Sequence, residues 1–551
     1  MKILTNQPIS LKKTAKSPLV WINLILLIAF NLQAQDSLDI RSLGRLGYSQ
    51  TLNDVWGWVD TANNKEYALV GVQNGLSIVD VSNPSNPVQT NFFSGASSIW
   101  RDMKTYGNYA YMIHDNYNGT SNGIFIVDMT TLSNSFPTTY TRKPVITIGT
   151  STYTFDRAHN LYIDEDAGLL FVFGSNVGAG GALIFDLKNN PSNPDYLGVF
   201  NDYYLHDGVA RGDTLWGAAV LDGFFLPIDI SNPANPVIKA TQSTPFNFTH
   251  NIWFSDDNQR VFTTDEKSGA FIAEYDVSDF NNISESDRIR THFGTDVIPH
   301  NAHFFNNFLV NSYYTAGIQI LDVSQPGLMV ETGFYDTSLD SGNGFNGCWG
   351  AYPYLPSGNI LATDRQRGLF ILQSDYTRAC YLFVSVVDSL SSQSLINAQV
   401  QVLNTDISGN TNIFGNYRGA QAAPGTFQMV VSKTGYRNDT ITVNLSNGQS
   451  VSKQVALLPA TFSLDAEGPL RSVEVYPNPL NSSNAQLKLS SWSSEMEGLQ
   501  YYLSDLNGRL LESGELENAL IDLRSSGLQA GSYILHLKGE DYVRTYPLIL
   551  R

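Results

Sequence analysis

A short motif that starts with glycine and recurs along most of the chain constrains the fold of this 551-residue sequence more than any other feature. The first two copies, Gly75–Asp80 and Gly123–Asp128, each run through four mainly apolar residues to an aspartate. Further copies start at Gly181, Gly223, Gly269, Gly317 and Gly368. Successive copies start 42 to 58 residues apart, close to the length of a four-stranded blade of a β-propeller. The period therefore indicates a repeat protein built from short strands.

Each interval also contains three further runs that are typical of strands. Tyr67–Gly71 lies directly before the first motif, and an earlier run leads into it. Proline-rich punctuation such as Ser82–Pro87 ends the motif strand, and the run Val88–Phe92 follows. Four strands in each of seven repeats predict an all-β fold in which residues 37–376 form a seven-bladed β-propeller.

The two ends of the repeat region predict how the ring closes. The last interval lacks a fourth run because a different domain begins near Arg378, whereas the first interval is preceded by a spare run, Ile40–Gly47. We expect this spare run to pair with Gly368–Gln373, since that pairing removes an open sheet edge and joins both ends of the circle.

Composition and charge exclude several classes of protein. Charged residues make up 15% of the chain, aromatic residues make up 12%, and there are 44 glycines. This profile is unlike that of a coiled coil, a long helical bundle or a disordered acidic tail. The net charge of −18 also argues against nucleic acid as the main partner, because phosphate binding needs a basic surface.

Residues 1–34 have the features of a secretory signal peptide. The segment carries four lysines and no acidic residue, and an apolar stretch, Leu19–Phe30, is followed by a small residue at Ala34. The stretch is too short for the roughly 20 residues that span a bilayer. We expect cleavage after Ala34 and no transmembrane segment in the mature chain.

The repeat motif resembles the LVIVD repeat of exported bacterial propeller proteins, most closely in Ser77–Asp80 and Phe125–Asp128. The arrangement of residues 37–376 resembles the family called choice-of-anchor B. This resemblance implies a propeller and brings no established reaction with it.

Four of the eight histidines occupy one position of the repeat. They are His159, His206, His250 and His300, and the corresponding residues of the other blades are interpreted as Trp56, Trp100 and Trp349. First strands line the central channel of a propeller, so these residues should surround one level of it. Acidic residues beside this position or in the loops at the same end are Asp207, Asp265, Glu266 and Asp364.

Two interpretations of these histidines stay open. Imidazoles and carboxylates could converge on a divalent metal such as zinc, copper or iron, or on a polar ligand. Alternatively, each histidine bonds neighbouring backbone groups, and repeated geometry keeps a repeated residue. No cofactor is certain from the sequence, and a divalent metal is the candidate.

Cysteine is scarce, with only Cys348 and Cys380. Export permits a disulfide between them, and two buried free thiols are the alternative.

Two smaller β domains follow the repeats. Residues 380–458 predict a seven-stranded sandwich that resembles the carboxypeptidase regulatory-like domain, with an Ig-like or transthyretin-like fold. Residues 459–470 form a linker. Residues 471–551 contain Tyr476-Pro477-Asn478-Pro479, Asp505 with Gly508, and Gly531 with Tyr533, in that order.

That order resembles the type A sorting domain of type IX secretion. The resemblance implies a host of the Bacteroidota type, recognition by the type IX machinery, passage across the outer membrane and removal of the domain. The protein is then extracellular or attached to the cell surface.

Three functions are consistent with these features. The first is a non-enzymatic propeller that binds an unknown extracellular ligand at the channel mouth or on a blade face. The second is a metal-dependent hydrolase or lyase that uses the histidines, with Asp265, Glu266 or Asp364 as acid or base. The third is a structural adhesin or matrix component. We expect binding rather than catalysis.

Overall fold

The computed structural model describes residues 37–116, 123–294, 296–460, 469–524, 527–539 and 542–551. The predicted signal peptide, with its cleavage position at Ala34, lies outside these residues, as does most of the linker 459–470. By internal contacts the chain divides into two units. The first contains the described residues up to Tyr381 with Ala420–Gly425 and Leu445–Ser450, and the second contains the rest. The domain boundaries predicted above stay predictions.

Strands provide all the regular structure longer than three residues in the described part of the chain. In the repeat region they are β1 (Ser37–Leu38), β2 (Ile40–Leu46), β3 (Leu52–Asp60), β4 (Lys65–Val72), β5 (Gly75–Asp80), β6 (Val88–Ser94), β7 (Arg101–Tyr106), β8 (Tyr109–His114), β9 (Ile124–Asp128), β10 (Thr139–Arg142), β11 (Val145–Ile148), β12 (Ser151–Thr154), β13 (Asn160–Asp164), β14 (Leu169–Phe173), β15 (Ala182–Asp186), β16 (Asp195–Phe200), β17 (Asp207–Arg211), β18 (Thr214–Ala219), β19 (Phe224–Asp229), β20 (Val237–Ile238), β21 (Gln242–Ser243), β22 (Thr249–Phe254), β23 (Arg260–Asp265), β24 (Ile272–Asp276), β25 (Ser284–Ile289), β26 (Ala302–Phe305), β27 (Phe308–Ser312), β28 (Ile318–Asp322), β29 (Val330–Tyr335), β30 (Cys348–Tyr352), β31 (Asn359–Asp364) and β32 (Gly368–Ser374).

These strands form seven antiparallel sheets in which consecutive strands are neighbours. The sheets are β3–β6, β7–β10, β13–β16, β17–β20, β22–β25, β26–β29 and β30–β32, with β21 beside β19 and a separate β11–β12 hairpin. The all-β prediction is confirmed. The description of these seven sheets as seven blades remains our interpretation.

Hydrogen bonds connect the sheets in chain order and return to the start. The links are Thr105 to Gly57, Leu161 to Asp102, Gly212 to Asp164, Asn251 to Asp207, Ala302 to Asn251, Tyr354 to Phe304, and Thr363 to Asn53. Most of them join residues of first strands, which therefore enclose a central channel. We call the end where first strands begin the histidine end, and the end where they turn into second strands the turn end.

The hydrophobic core lies between neighbouring sheets. Phe171 and Ile184 of the third sheet, for example, pack in one cluster with Leu215 and Leu226 of the fourth. Each buried side chain of this kind contributes about 1.5–3 kcal/mol relative to exposure. The alternation of strand residues places one apolar row against each neighbouring sheet.

At five of the seven motif glycines, a carbonyl group of the strand in the fourth position leaves no space for a side chain. At Gly317, where φ is +75°, an added Cβ would lie 2.1 Å from the carbonyl oxygen of Tyr335 in the fourth strand. At Gly368, where φ is +108°, the same contact at 2.1 Å comes from Leu46. In the last sheet, β2 therefore takes the place of a fourth strand.

The predicted ring closure is confirmed by this pairing. β2 lies antiparallel to β32, from Ile40 opposite Ser374 to Leu46 opposite Leu369. β1, which directly precedes β2, extends the sheet β26–β29, because it pairs with β29. The sequence did not indicate this pairing.

The second unit contains most of the two smaller β domains. The strands after the propeller are β33 (Cys380–Asp388), β34 (Gln399–Val402), β35 (Ser408–Asn410), β36 (Asn416–Gln421), β37 (Gly425–Ser432), β38 (Asp439–Leu445), β39 (Ser450–Leu457), β40 (Val475–Tyr476), β41 (Gln486–Leu489), β42 (Gln500–Asp505), β43 (Leu510–Glu515), β44 (Leu520–Asp522), β45 (Gly531–Lys538) and β46 (Val543–Leu550). The sheets are β36-β33-β39, β35-β34-β37-β38, β40-β41-β44 and β43-β42-β45-β46.

Short 3-10 turns are the remaining regular structure, at Met129–Thr131, Ser482–Asn484 and Ser494–Met496. Within the described ranges, no helix has the length and hydropathy needed to cross a bilayer.

Candidate functional site

Four histidines reach the histidine end because each stands where a first strand begins. His159 and His206 directly precede β13 and β17, His300 lies two residues before β26, and His250 lies inside β22. Three of their backbone N–H groups donate to the second strand of their own sheet, to the carbonyl oxygens of Phe173, Ala218 and Ser312. This shared anchoring directs the four side chains toward one level of the channel.

The four imidazoles form a continuous row, which we call the histidine arc. Ring centroids are 4.1 Å apart between His159 and His206, 4.2 Å between His206 and His250, and 4.7 Å between His250 and His300. Trp349 continues the row at 4.4 Å from His300. The structure thus brings together all four predicted histidines and one of the three predicted tryptophans.

Backbone carbonyl groups fix the orientation of two of these rings. His206 Nδ1 lies 3.1 Å from the carbonyl oxygen of His250, and His300 Nδ1 lies 2.6 Å from that of Trp349. In a neutral imidazole, an Nδ1–H that donates to a carbonyl leaves a lone pair on Nε2. This tautomer is the one that binds metals through Nε2.

Burial keeps the inner rings of the arc neutral. Loss of solvent lowers the pKa of His206, His250 and His300, and neighbouring imidazoles lower it further. For His250, the carboxylate of Glu266 and the carbonyl of His300 oppose this shift without reversing it. A neutral imidazole can donate its lone pair to a metal ion without first losing a proton.

Glu266 is the carboxylate that faces the inner part of the arc. Its Oε2 lies 3.6 Å from His250 Nε2, and its Oε1 lies 3.9 Å from His300 Nε2. Tyr314 donates its hydroxyl to Oε1, which orients the carboxylate. The side chain is 18% exposed, so the group is reachable from solvent. One ligand atom from each of His250, Glu266 and His300 lies within 4.8 Å of the others.

The outer end of the arc carries a second acidic partner. His159 Nδ1 lies 2.9 Å from Asp115 Oδ2, and both side chains are partly exposed. Asp115 also accepts a hydrogen bond from Ser98. The arc is therefore open to solvent at His159 and closed by protein at His300.

Two of the predicted tryptophans were assigned to the wrong place in the repeat. Trp56 lies deeper in the channel, where its ring contacts Tyr352 at 4.8 Å and His303 at 6.3 Å. Trp100 is 43% exposed, and its centroid is 6.4 Å from that of His159. Trp56 lies well inside β3, beyond the register shift between Leu52 and Val55, whereas His250 and Trp349 lie within the equivalent shifts of β22 and β30.

Arg101 occupies the corresponding place in the second sheet. It precedes Asp102, whose carboxylate accepts a hydrogen bond from the backbone N–H of Leu161 in the next sheet. Asn251, the residue after His250, accepts the equivalent bond from Ala302. The Arg101 side chain is fully buried and donates to the carbonyl oxygens of Val72 and Gln73. This residue was missed because an arginine does not resemble the histidines that it aligns with.

Two of the predicted catalytic carboxylates are occupied in holding turns. Asp265 is buried and accepts from Thr244 at 2.6 Å, from Phe246 N at 2.8 Å and from Phe248 N at 3.0 Å. Asp364 is buried and accepts from Thr337 and from the backbone of the turn that follows it. Neither group has a free oxygen directed at the arc, so their assignment as acid or base is corrected.

Asp207 turns away from the arc into the channel wall. Its oxygens accept from Asn251 Nδ2 and from the N–H of Gly208, each at 2.6 Å. Burial raises its pKa to about 7. This carboxylate joins two sheets rather than facing the mouth.

Tyr314 is a site residue that sequence reasoning missed. It follows β27 in the left-handed region, with φ of +37°, a conformation that costs a non-glycine residue energy. Its ring lies 4.9 Å from that of His300. No motif marked it, because its partner Glu266 belongs to the preceding sheet.

The two cysteines do not form a disulfide. Cys348 and Cys380 are both buried and free, as the alternative of two thiols proposed. Cys348 packs in the apolar cluster around β30 and β31.

The predicted sorting residues support turns and strand pairing in the second unit. Asn478 donates to the carbonyl oxygen of Pro547 and accepts from Ile549 N, at 2.6 and 3.0 Å. Asp505 accepts from Arg509 N in a turn that contains Gly508, where φ is +80°. The pairing of β45 with β46 places Gly531 opposite Leu550 and Tyr533 opposite Leu548. Tyr476 ends β40 and is exposed, and Pro477 and Pro479 follow it.

Comparison with known families identifies all three kinds of domain. The LVIVD repeat matches residues 64–91, 219–244 and 313–337. The CarboxypepD_reg-like domain matches residues 385–466, and the secretion system C-terminal sorting domain matches residues 474–551. No curated protein matches the chain. The chain is therefore an exported LVIVD-repeat protein that carries a sorting domain of the type IX secretion system, which directs it to the cell surface or the extracellular space.

Proposed function

We propose that this protein is an exported binding protein whose propeller holds a divalent transition metal between His250, Glu266 and His300. The metal would lie at the histidine end of the channel, where an extracellular ligand can reach it. The observation that carries the proposal is that two neutral Nε2 atoms face one carboxylate at 3.6 and 3.9 Å.

Those separations suit a metal ion better than a direct contact. Zinc binds histidine nitrogen and carboxylate oxygen at about 2.0–2.2 Å, which places tetrahedral ligand atoms about 3.3–3.5 Å apart. The two distances involve different oxygens of Glu266, and one ligand atom from each residue lies within 4.8 Å of the others. An ion would therefore draw the three ligand atoms together by about 1 Å. The hydroxyl of Tyr314 and the carbonyl of Trp349 would act as outer partners that hold Glu266 and His300 in orientation.

Electrostatics supports the same conclusion. Without an ion, the lone pair that the Trp349 carbonyl leaves on Nε2 of His300 faces the Glu266 carboxylate in a mostly buried place, and Nε2 of His250 faces the same carboxylate. A divalent cation would replace this repulsion with three favourable bonds. A direct hydrogen bond cannot do so at these distances, because N–H···O bonds require about 2.7–3.2 Å.

The open side of the arc supports binding rather than catalysis. Three ligands leave a fourth position for a donor from outside, on the side of His159 and Asp115. Hydrolysis would also need a free acid or base near that position, and Asp265 and Asp364 are already occupied by turns. Asp115 with His159 is the pair that a hydrolase or lyase would have to use.

Metal titration of the full mature chain tests the proposal. After chelation and dialysis, calorimetry with ZnCl₂ should show one site per chain, and His250→Ala, His300→Ala and Glu266→Gln should each weaken it by about 100-fold or more. His292→Ala is the matched control, because His292 also lies beside a glutamate, Glu331, but outside the arc. Absence of binding by the wild type, or equal binding by the His250→Ala protein, would refute the proposal.

An activity assay separates the enzymatic alternative. If the zinc-loaded protein hydrolyses an ester, phosphate or glycan substrate and His159→Ala abolishes turnover while zinc stays bound, the chain is an enzyme and the binding role is secondary.

A further inference from the structure

A second candidate site lies at the turn end of the channel, several residues along the first strands from the histidine arc. A cavity of about 250 Å³ opens there among the ends of the first strands. Its lining includes the five aromatic residues Trp56, Tyr162, Trp253, Tyr352 and Tyr354, which we call the aromatic cage. Tyr162 and Trp253 lie three residues after His159 and His250, so at about 3.3 Å per strand residue the cage lies roughly 10 Å from the arc.

Two pairs of rings in the cage stand at steep angles to each other, whereas Trp253 and Tyr354 are nearly parallel, at 20°. Tyr162 meets Trp253 edge-on at 5.8 Å, and Trp56 meets Tyr352 edge-on at 4.8 Å. Tyr354 lies between the two tryptophans, at 6.2 Å from Trp56 and 6.3 Å from Trp253. Several ring faces can therefore contact one compact group from different sides.

One turn places negative charge beside the cage. Asp164, Glu165 and Asp166 form the turn after β13, and all three line the cavity. Glu165 and Asp166 are exposed, whereas Asp164 is buried and accepts from the N–H groups of Ala167 and Gly212. The cation that also lines the cavity, Arg211, donates to Ser255, Asp256 and Asn258 of the neighbouring sheet. Three carboxylates therefore face one guanidinium, which leaves an excess of two negative charges in the lining of the cavity.

The protein already places an ammonium group on one ring of the cage. Lys104 Nζ lies 4.4 Å from the ring centroid of Trp56, within the range of a cation–π interaction. The same Nζ lies 2.5 Å from Asp102 and 3.7 Å from Asp54, so its charge is compensated inside the channel. Lys104 therefore does not repel a second cation from the outer part of the cage.

A buried imidazole without a partner lies against the cage. His303 is 5% exposed, and its ring is 4.7 Å from Trp253 and 6.3 Å from Trp56. Its Nδ1 has no hydrogen-bond partner among the described residues. A buried polar atom of this kind is costly in the absence of a partner, although His303 packs behind the two tryptophans and does not itself line the cavity.

We propose that the aromatic cage binds a small organic cation of the quaternary or methylated ammonium class. Aromatic faces around the cavity and carboxylates at its rim are the chemistry that recognises such a group. The volume is below the usual 300–1,000 Å³ of drug-sized sites, which favours a compact ligand. The proposal is independent of the metal at the arc, because the two sites share no residue.

Paired ligands of equal shape test it. Choline and its neutral isostere 3,3-dimethylbutan-1-ol should be titrated into the full chain while the tryptophan fluorescence is recorded. We expect choline to bind at least tenfold more tightly than the isostere, and added NaCl to weaken choline binding because the rim carboxylates are exposed to solvent. Equal binding of both ligands, no choline binding at millimolar concentration, or tighter binding of a neutral monosaccharide would each overturn the proposal.

Variants assign the effect to the cage. Trp56→Leu should weaken choline binding at least tenfold, and the exposed Glu165→Gln should weaken it severalfold without risk to folding. Tyr354→Phe keeps the ring and should bind like the wild type, although it loses a hydrogen bond to Phe304. Asp222→Asn, a charge change in the turn between β18 and β19, is the control and should have no effect. Unchanged choline affinity in Glu165→Gln and Trp56→Leu together would contradict the assignment.

Discussion

Asp207 has an environment unlike that of an ordinary surface carboxylate. It is buried in the channel wall and accepts two short hydrogen bonds, yet its pKa is raised to about 7. The unfolded chain therefore releases this proton at lower pH than the folded chain. The contribution of Asp207 to stability falls as pH rises from about 4 to about 7.

Substitution of Asp207 should reveal this linkage. Relative to wild type, the Asp207→Asn protein should gain roughly 2–3 kcal/mol of unfolding free energy between pH 5 and pH 8, because asparagine does not titrate. Urea unfolding of both proteins at pH 5 and at pH 8 measures the difference in unfolding free energy between variant and wild type. The arc histidines contribute an opposite pH trend to both proteins, so their contribution cancels in this difference. The exposed Asp202→Asn serves as control. A difference that is flat with pH would contradict the raised pKa.

Single residues also show how far the sequence could lead. The arc histidines were predictable because one position recurs in four repeats. Their partners were not, because Glu266 and Tyr314 come from loops of two different sheets and meet only in the folded ring. Trp56 was misplaced because the sequence does not show that β3 already begins at Leu52, four residues before it.

At the scale of the element, the motif aspartates have a structural role. Asp80, Asp229 and Asp322 each accept a hydrogen bond from the N–H of the residue two positions later, at 3.0, 3.0 and 2.9 Å. This contact forms the turn that the following prolines continue. The aspartate that made the repeat recognisable is therefore a turn residue and not a ligand.

The closing strand β2 should contribute measurably to stability. Deletion of residues 37–50 removes the pairing of β2 with β32 and exposes an edge, so we expect a lower melting temperature. An unchanged melting temperature in differential scanning calorimetry would mean that the ring does not depend on this strand.

Two glycines in the last sheet separate strand pairing from backbone strain. Gly368→Ala would suffer from its positive φ and from a collision with Leu46, whereas Gly358→Ala has a positive φ and open space. We expect Gly368→Ala to cost about 1–3 kcal/mol more than Gly358→Ala. In the variant that lacks residues 37–50, the two substitutions should cost about the same unfolding free energy, because Leu46 is absent. An excess that persists there would show that the strain has another source.

At the scale of the whole molecule, the repeat period and the order of domain types could be read from the sequence, and both agree with the matched families. The closure by β2 was also predictable, because the last repeat lacks a fourth strand and a spare strand precedes the first repeat. The aromatic cage was not, since its five rings come from β3, β13, β22, β30 and the segment after β30. Only the closed circle of sheets brings these five positions together.

The sorting domain predicts a processed extracellular form. If the type IX machinery removes it, mass spectrometry of the culture medium or the surface fraction should find the propeller without residues 471–551. Replacement of Asn478, which pairs with the last strand, by alanine should reduce export and retain the full chain inside the cell. An extracellular protein that still contains these residues would contradict removal.

The proposed binding function depends on two chemically different ends of one channel. The histidine arc offers neutral nitrogen ligands and a carboxylate, and the turn end offers aromatic faces with carboxylates. An adhesin that uses only its outer surface would need neither, so intact glycan or envelope binding by a protein with both sites mutated would favour that third function.

Anomalous diffraction from crystals grown with zinc tests the central claim most directly. Data collected at the zinc absorption edge should show one strong peak bound by His250 Nε2, His300 Nε2 and an oxygen of Glu266, at about 2.0–2.2 Å from each. No peak at the histidine end, or a peak that leaves His250, Glu266 and His300 unbound, would contradict the account.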